Sequence, residues 1–501
     1  MQPGRILAVD PEALAALTPP QLRDALQATE PHALVATSPG SRVRLRSTIP
    51  EFDRPILTPG TGADSGRPDV HDLGDVQVAV ADSVDALAAL ATLEADGSLD
   101  PTTESYVLTD ALDLSIRPTE LTTVRQGLDA YRSAIEAGER RVDRSLEGSY
   151  THLSTALPAD YYGEWEGLTV RGVAPGQLEG APGGGATGEE PAIASLTFGT
   201  DGTVAATEYR QGSLGVRAIG GIGEERARTL RDAGYEVRNA LADADVATVA
   251  DLDGLPRSTA ARLVERAHAF EDGRVLRETD DGPPGPEPVF VDIETDGLSP
   301  SIVWLIGVLD REAPPADRYH SFLVRDPQDP GAALDAYCAW HAEHATGRPI
   351  VAYNGSSFDF PVLAEQIERH CPAYAEQWAD AWTFDPYDWA VREDNAVLPG
   401  RTNRLEDVTE ALGFEPEVSG AGRNAGAPLS GAEVARIYRS WMADPVPENE
   451  PDWASLEAYC EADVRALAHV YDAIEAADRT EGAQSNRNVA AETTQGSLGD
   501  F

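Results

Sequence analysis

Apolar residues recur along this chain with periods near 2 and near 3.6, and the places where the period changes mark its parts. Over residues 1–158, short β-branched runs alternate with helical patterns. Residues 5–9, 33–38, 76–81 and 106–110 predict strands, and residues 11–29, 84–95 and 121–146 predict helices. In the last of these Val124, Leu128, Tyr131, Ile135, Val142 and Leu146 share one helical face. The alternation predicts an α/β domain of unassigned role, with residues 58–68 as a surface loop. Residues 159–212 turn β-like: two alternating runs, 192–198 and 203–209, flank the hairpin signal Asp201-Gly202. A Gly-rich stretch, 176–188, reads as a flexible loop. Residues 213–272 are helical in pattern, and Asp280-Asp281-Gly282-Pro283-Pro284-Gly285-Pro286 breaks that pattern within an expected linker, 273–287. Strands and helices return over 288–478, and the polar, aperiodic residues 479–501 predict a disordered tail.

Charge changes the picture more than composition does. The chain has 85 acidic residues against 39 basic ones, and all 39 are arginine. So acidic a surface would ordinarily repel nucleic acid. The excess is spread over the whole sequence, however, as in proteins of salt-accumulating halophiles such as halophilic archaea. In molar salt the Debye length is about 3 Å, so local contacts decide binding. The absence of lysine excludes a Walker A phosphate loop, a Schiff-base enzyme and the kinase β3 lysine, and no nucleotide cofactor is expected. Cys338, Cys371 and Cys460 lack metal-site spacing and read as buried thiols of a reducing, cytoplasmic protein. The first residues carry no signal-peptide pattern, and the longest apolar run, 302–309, is far below the ~20 residues a membrane span needs. No membrane partner is expected, and oligomeric state is left undetermined.

Two segments carry candidate chemistry. Ile219-Gly220-Gly221-Ile222-Gly223 leads into a strong helix former, so Gly221 and Gly223 can present backbone N–H groups to a phosphate at a helix N-terminus. Leu252-Asp253-Gly254-Leu255-Pro256 repeats the arrangement. The pair resembles a tandem of helix-hairpin-helix motifs, a sequence-independent DNA-binding element that also serves in protein docking. The second copy departs from the pattern at Pro256, which offers no N–H, so that copy is expected to be a structural partner.

The second segment begins with Val289-Phe290-Val291-Asp292-Ile293-Glu294-Thr295. On a strand Asp292 and Glu294 project from one face, and a divalent cation between them would remove their repulsion. The D-x-E pair alone is weak evidence, since Asp10/Glu12 and Asp310/Glu312 repeat it. A later strand-like run ends in Asn354-Gly355-Ser356-Ser357-Phe358-Asp359, which places Asp359 at a strand-to-helix junction, where it could also serve as a helix cap. On a final helix, expected over 453–476, Tyr459 and Asp463 stand one turn apart.

This order of motifs resembles the DEDDy subgroup of DEDD 3′–5′ exonucleases, and within it the YprB-type ribonuclease H-like domain. Further likeness lies in the run 302–309, in Arg404-Leu405-Glu406-Asp407-Val408 and in Ser430-Gly431-Ala432-Glu433-Val434 with Tyr438 and Trp441. The resemblance implies a mixed sheet with flanking helices over 288–478 and two divalent cations, Mg²⁺ or Mn²⁺. Asp292 would bridge them, Glu294 and Asp463 would complete one, and Asp359 would support the other through water. Tyr459 would orient the attacking water, and Asn354 and Phe358 would contact the strand. Asp385 and Asp388 stand as outer-layer candidates. Asp296 and Cys460 depart from the usual pattern, at positions expected not to touch the ligands. The implied activity trims single-stranded DNA or RNA ends, with duplex binding open to the helical module. Two other readings stay open: a nucleic-acid-binding scaffold that no longer cuts, and a structure-selective endonuclease.

Overall fold

The computed structural model of the chain describes residues 2–36, 39–59, 66–102, 104–117, 122–148, 150–176, 191–280, 282–285, 287–297, 299–414, 429 and 431–477. Most of the expected Gly-rich loop, positions 60–65 of the expected surface loop and the expected tail lie outside these residues. Residues up to Gly215 form one compact unit, and residues from Val216 onward form most of a second.

In the N-terminal unit a five-stranded sheet runs in the order Val204–Arg210, Pro191–Phe198, Gly4–Val9, Ala33–Ala36, Ile56–Leu57. A six-stranded sheet runs Tyr162–Trp165, Leu168–Ala174, Tyr150–Pro158, Ser105–Thr109, Val76–Ala81, Asp69–Leu73. The strand period of two decides how they stack. Ile6 and Ala8 of one sheet share a core with Val78, Tyr106 and Leu153 of the other. Their neighbours Leu7 and Val9 pack with Leu14 and Leu22 of the helices Pro11–Ala16 and Pro19–Thr29. Ala79 and Val107 pack with Leu93 and Tyr131 of Leu90–Ala95 and Leu128–Val142. The unit is therefore four layers, helix–sheet–sheet–helix, and strands covered on both faces read as near-continuous apolar runs.

Three expectations need correction here. A division at 158/159 would cut through both sheets, because Tyr150–Pro158 pairs with Leu168–Ala174 and Gly4–Val9 pairs with Pro191–Phe198. The helix expected from 11 to 29 is two helices, since Thr18 and Gln21 form a capping box that restarts the chain at Pro19. The helix expected from 121 starts only at Leu128: Thr122–Gln126, rich in β-branched residues, pairs instead with Asp113–Arg117. Gly127 between them has φ of +84°, which no helix accommodates. The Asp201-Gly202 hairpin, by contrast, forms as predicted, with Gly202 at φ of +83°.

The second unit opens with helices Glu224–Asp232, Arg238–Ala242, Val246–Ala250 and Arg257–Glu271 around Ile222, Leu230, Leu241 and Leu263. The segment expected as a linker is partly built into the fold. Leu276–Arg277 pairs with Ala396–Val397, and Glu278 holds the buried Arg266 guanidinium at 2.7 Å. Next comes a five-stranded mixed sheet in the order Tyr319–Leu323, Val303–Asp310, Val289–Thr295, Ile350–Val351, Thr383–Phe384. Its first three strands are antiparallel and the last two join in parallel. Val289, Val291 and Ile293 face Leu334, Tyr337, Leu363 and Ile367 of the helices Ala332–His344 and Asp359–His370. Phe290 faces the other way, onto Val464, Leu467 and Tyr471 of the final helix, Trp453–Ala476. Ribonuclease H-like architecture follows: a mixed sheet between helices, preceded by a small all-helical module and an α/β region.

A Cβ at Gly127 would stand 1.7 Å from the Ala111 carbonyl oxygen. Gly127→Ala should therefore destabilise the N-terminal unit by about 2–4 kcal/mol, combining left-handed strain with the clash. Urea unfolding followed through the N-terminal tryptophan Trp165 checks this, and an unchanged midpoint would refute the assigned turn.

Candidate active site

Asp292 and Glu294 lie on the strand face that Phe290 buries against the final helix, so the register that makes the core also aims both acids at that helix. Close approach is possible because Gly307, directly paired with Asp292, has no side chain: a Cβ there would sit 2.4 Å from the Cys460 sulfur. One oxygen each of Asp292 and Glu294 and the Cys460 sulfur lie within 4.8 Å of one another. Asp359 is the first residue of its helix and is buried. Asp463 is half-buried, one helical turn after Tyr459.

The four acids act on one another through their charges. Burial, then the charges of Glu294, Asp463 and Asp359, pushes the Asp292 carboxyl well above the usual range. Burial, then Asp463 and Asp359, does the same to Glu294. Burial pushes Asp359 up to about 7, against the opposing pull of backbone N–H groups. Asp463 is pushed up to about 7 by burial and by Glu406, while the Tyr459 hydroxyl acts to lower it. Tyr459 is itself pushed up, by burial and then by Asp463, Glu294 and Asp292, and stays a hydrogen-bond donor. Among the described residues no arginine or histidine lies within ion-pairing distance of these four acids. Buried carboxylates with no cationic partner fit a divalent cation, and their hard oxygen donors suit Mg²⁺ or Mn²⁺.

Two residues near the cluster have no role in the site assigned from the sequence. Cys460 was expected not to touch the ligands, yet its thiol donates toward Asp292 Oδ2 at 3.6 Å. Helix spacing accounts for this, because positions i and i+3 share a face and Gly307 admits the sulfur. Glu406, in the Arg404–Val408 motif, raises both Asp463 and Tyr459. Asp385 has a scaffolding part: its buried carboxylate accepts the backbone N–H groups of Asn354, Ser356, Tyr387 and Asp388 at 2.9–3.2 Å, fixing the turn that delivers Asp359. Asp388 pairs with Arg392 at 2.8 Å, away from the acids' own contacts. Asp296 folds back onto Ser301 and Ile302 and closes the turn after the strand. Asn354 is exposed at φ of +57°, while the Phe358 ring packs partly on the domain core.

In the helical module Gly221 takes φ of +88°, and Gly223 caps Glu224–Asp232, where among the described residues no side chain occupies the first-turn N–H groups. A Cβ at Gly223 would meet nothing within 4 Å, so packing inside the protein does not require glycine there. Pro256 proves to be the N-cap of Arg257–Glu271, one residue before the first helical turn. Its missing N–H removes no donor from that turn, and the second hairpin keeps its helix N-terminus.

Residues 289–475 match the RNase_H superfamily model, and residues 215–269 match the SAM-like helix-hairpin-helix tandem. The chain thus carries an RNase H superfamily domain preceded by a tandem helix-hairpin-helix module. Solved structures similar to it include E. coli exonuclease I in complex with a 5cy-dA13 oligonucleotide, at 18% identity over 33% of this chain and 41% of that one, with a TM-score of 0.20. The zinc-ion-bound form of the E. coli exonuclease I–ssDNA complex gives 20% identity over 35% and 42%, with a TM-score of 0.21. The chain covers about two-fifths of the length of these structures. No curated protein matches it. Among the described residues no helix is long and apolar enough to cross a membrane.

Folding raises the acids' pKa values, so the metal-free fold binds protons more tightly than the unfolded chain. Its stability from these groups is full below the unfolded value near 4 and is lost as pH rises through about 7. In EDTA at pH 8, Asp463→Asn should therefore raise stability by about 1–4 kcal/mol. Mn²⁺ should raise the melting temperature of the parent more than that of the variant. Equal melting of both proteins in EDTA would show that Asp463 carries no such buried charge.

Proposed function

We propose that the C-terminal domain is a metal-dependent 3′–5′ exonuclease of the DEDDy type, resembling YprB-type domains in its motifs, acting on single-stranded DNA or RNA ends. The observation that carries this reading is the close approach of Asp292 and Glu294, on which the charges of Asp359 and Asp463 also act, with Tyr459 feeling three of the four acids. These four acids would hold two divalent cations, Mg²⁺ or Mn²⁺. When bound, the cations supply charge neutralisation at the scissile phosphate and a lowered pKa for water. The chain's own residues do the rest. Tyr459, kept protonated by burial and then by the neighbouring acids, is suited to orient a water by hydrogen bonding and unsuited to be a base. Cys460 stays a neutral thiol and holds one Asp292 oxygen, which fixes the carboxylate's rotation. Asp385 holds the turn carrying Asn354, whose exposure leaves it available to a strand. The helix-hairpin-helix tandem would grip the sugar–phosphate backbone, of single strand or duplex, through helix N-termini that need no lysine. The lysine-free, acidic composition supports a halophilic, archaeal and cytoplasmic setting for this chemistry.

End-labelled linear and circular single strands in molar KCl with Mn²⁺ test the reading. Stepwise shortening from the 3′ end of linear strands alone is the expected result. Cutting of circles would establish an endonuclease, and binding without degradation would establish a scaffold. Asp292→Ala should lower the rate by at least about 10³-fold and Tyr459→Phe by about 10²-fold, with unchanged circular dichroism. Full activity in Asp292→Ala would overturn the assigned site.

A further inference from the structure

Three arginines of the N-terminal unit stand around one cavity, and among the described residues none of them forms an ion pair. Arg42 and Arg46 lie one turn apart on the helix Pro39–Thr48, and Arg54 follows shortly after it. With Arg67 they line an open cavity of about 850 Å³ beside the edge strands Ile56–Leu57 and Asp69–Leu73. Among the described residues no carboxylate lies within ion-pairing distance of Arg42, Arg46 or Arg54. The chain as a whole has 85 acids to 39 arginines, so such a group runs against its composition.

Two of the guanidinium groups are held in place by neutral partners. Arg46 donates to the Phe52 and Arg54 carbonyl oxygens at 2.8 and 3.3 Å. Arg54 donates to the carbonyls of Pro31 and Glu30 at 2.6 and 3.3 Å. Carbonyls fix a guanidinium's position without cancelling its charge, so the group is ordered and still cationic. Arg67 is different: Asp96 takes it at 3.0 Å. Asp53, Asp69 and Asp82 also line the wall, none of them paired with Arg42, Arg46 or Arg54 among the described residues, and Asp69 faces His71 at 3.2 Å. Like charges fixed together gain stability from an anion, and guanidinium forks match the geometry of phosphate oxygens. The cavity's size lies in the range that takes an organic ligand and far exceeds what one small anion fills.

We propose that this cavity binds a phosphate-bearing ligand, either a free nucleotide or the terminal phosphate of a nucleic-acid strand. Its arginines belong to the N-terminal unit, and the site is independent of the acid cluster and of whether that cluster cuts.

Isothermal titration of the full chain with inorganic pyrophosphate, in EDTA and at the lowest salt that preserves the fold, tests the site apart from catalysis. Saturable binding that Arg42→Gln weakens at least about tenfold is the expected result. Arg42 donates to no backbone group among the described residues, so this variant leaves the local structure intact. Arg46→Gln, checked for folding by circular dichroism, should weaken binding too. Competition by a 5′-phosphorylated oligothymidylate and not by its 5′-hydroxyl form would assign the ligand as a strand end. Competition by a mononucleotide and by neither oligomer would assign it as a free nucleotide. Absence of saturable binding, or equal affinity in folded Arg42→Gln, would overturn the proposal.

Discussion

The repulsion between carboxylates that the fold forces together is the constraint around which the second unit is arranged. At a separation near 4 Å and an effective dielectric of 20, two such charges repel by about 4 kcal/mol. One or two fully buried aliphatic side chains offset that amount. The strand that carries Asp292 and Glu294 supplies more: Val289, Val291 and Ile293 are buried on one face and Phe290 on the other. The register is therefore set by core packing, and the acids are carried into place by it. Gly307 completes the arrangement by letting the final helix come close enough for its sulfur to reach Asp292. Without that missing Cβ the helix would ride outward and Asp463 would leave the group.

The same logic explains which parts of this site were legible in the sequence. A two-residue period puts Asp292 and Glu294 on one face whatever the tertiary structure, and a four-residue spacing does the same for Tyr459 and Asp463. Asp359 was readable from the strand-to-turn-to-helix pattern before it. Cys460 and Glu406 were not, because their roles come from contacts between segments distant in sequence. The pairing of Asp292 with Gly307, which brings Cys460 near, is a fact of register that no local pattern prints. Asp385 looked like a loop acid among many, and its value lies in four backbone N–H groups that only the folded turn collects.

In the N-terminal unit the strands with strong β-branched runs were legible, and the layers were not. Residues 121–146 show why. A helical spacing of apolar residues ran unbroken through Val124, yet Gly127 and the preceding threonines divert the chain into a hairpin. Long-range pairing also joins what composition separates: Gly4–Val9 takes its partner from residues 191–198, nearly the whole unit away. A domain boundary drawn from a shift in pattern cannot see such a pair.

Charge poses a different problem from packing in this chain. In the concentrated salt proposed for this chain, an acidic surface would not act on phosphates through a long-range field, because such a field would extend only a few ångströms. Recognition must then rest on contacts that work at hydrogen-bond range. Three kinds are present: carboxylates suited to hold cations, helix N-termini whose N–H groups are unclaimed at Gly223, and arginines held by carbonyls at Arg46 and Arg54. Each carries its charge or dipole in a fixed position, so little ordering is needed when a phosphate arrives. Lysine, a flexible and strongly hydrated point charge, suits none of the three, and its absence from all 501 positions is consistent with that division of labour. The chain's net acidity and a phosphate-directed chemistry are therefore compatible, because the first acts over distances at which the second does not operate.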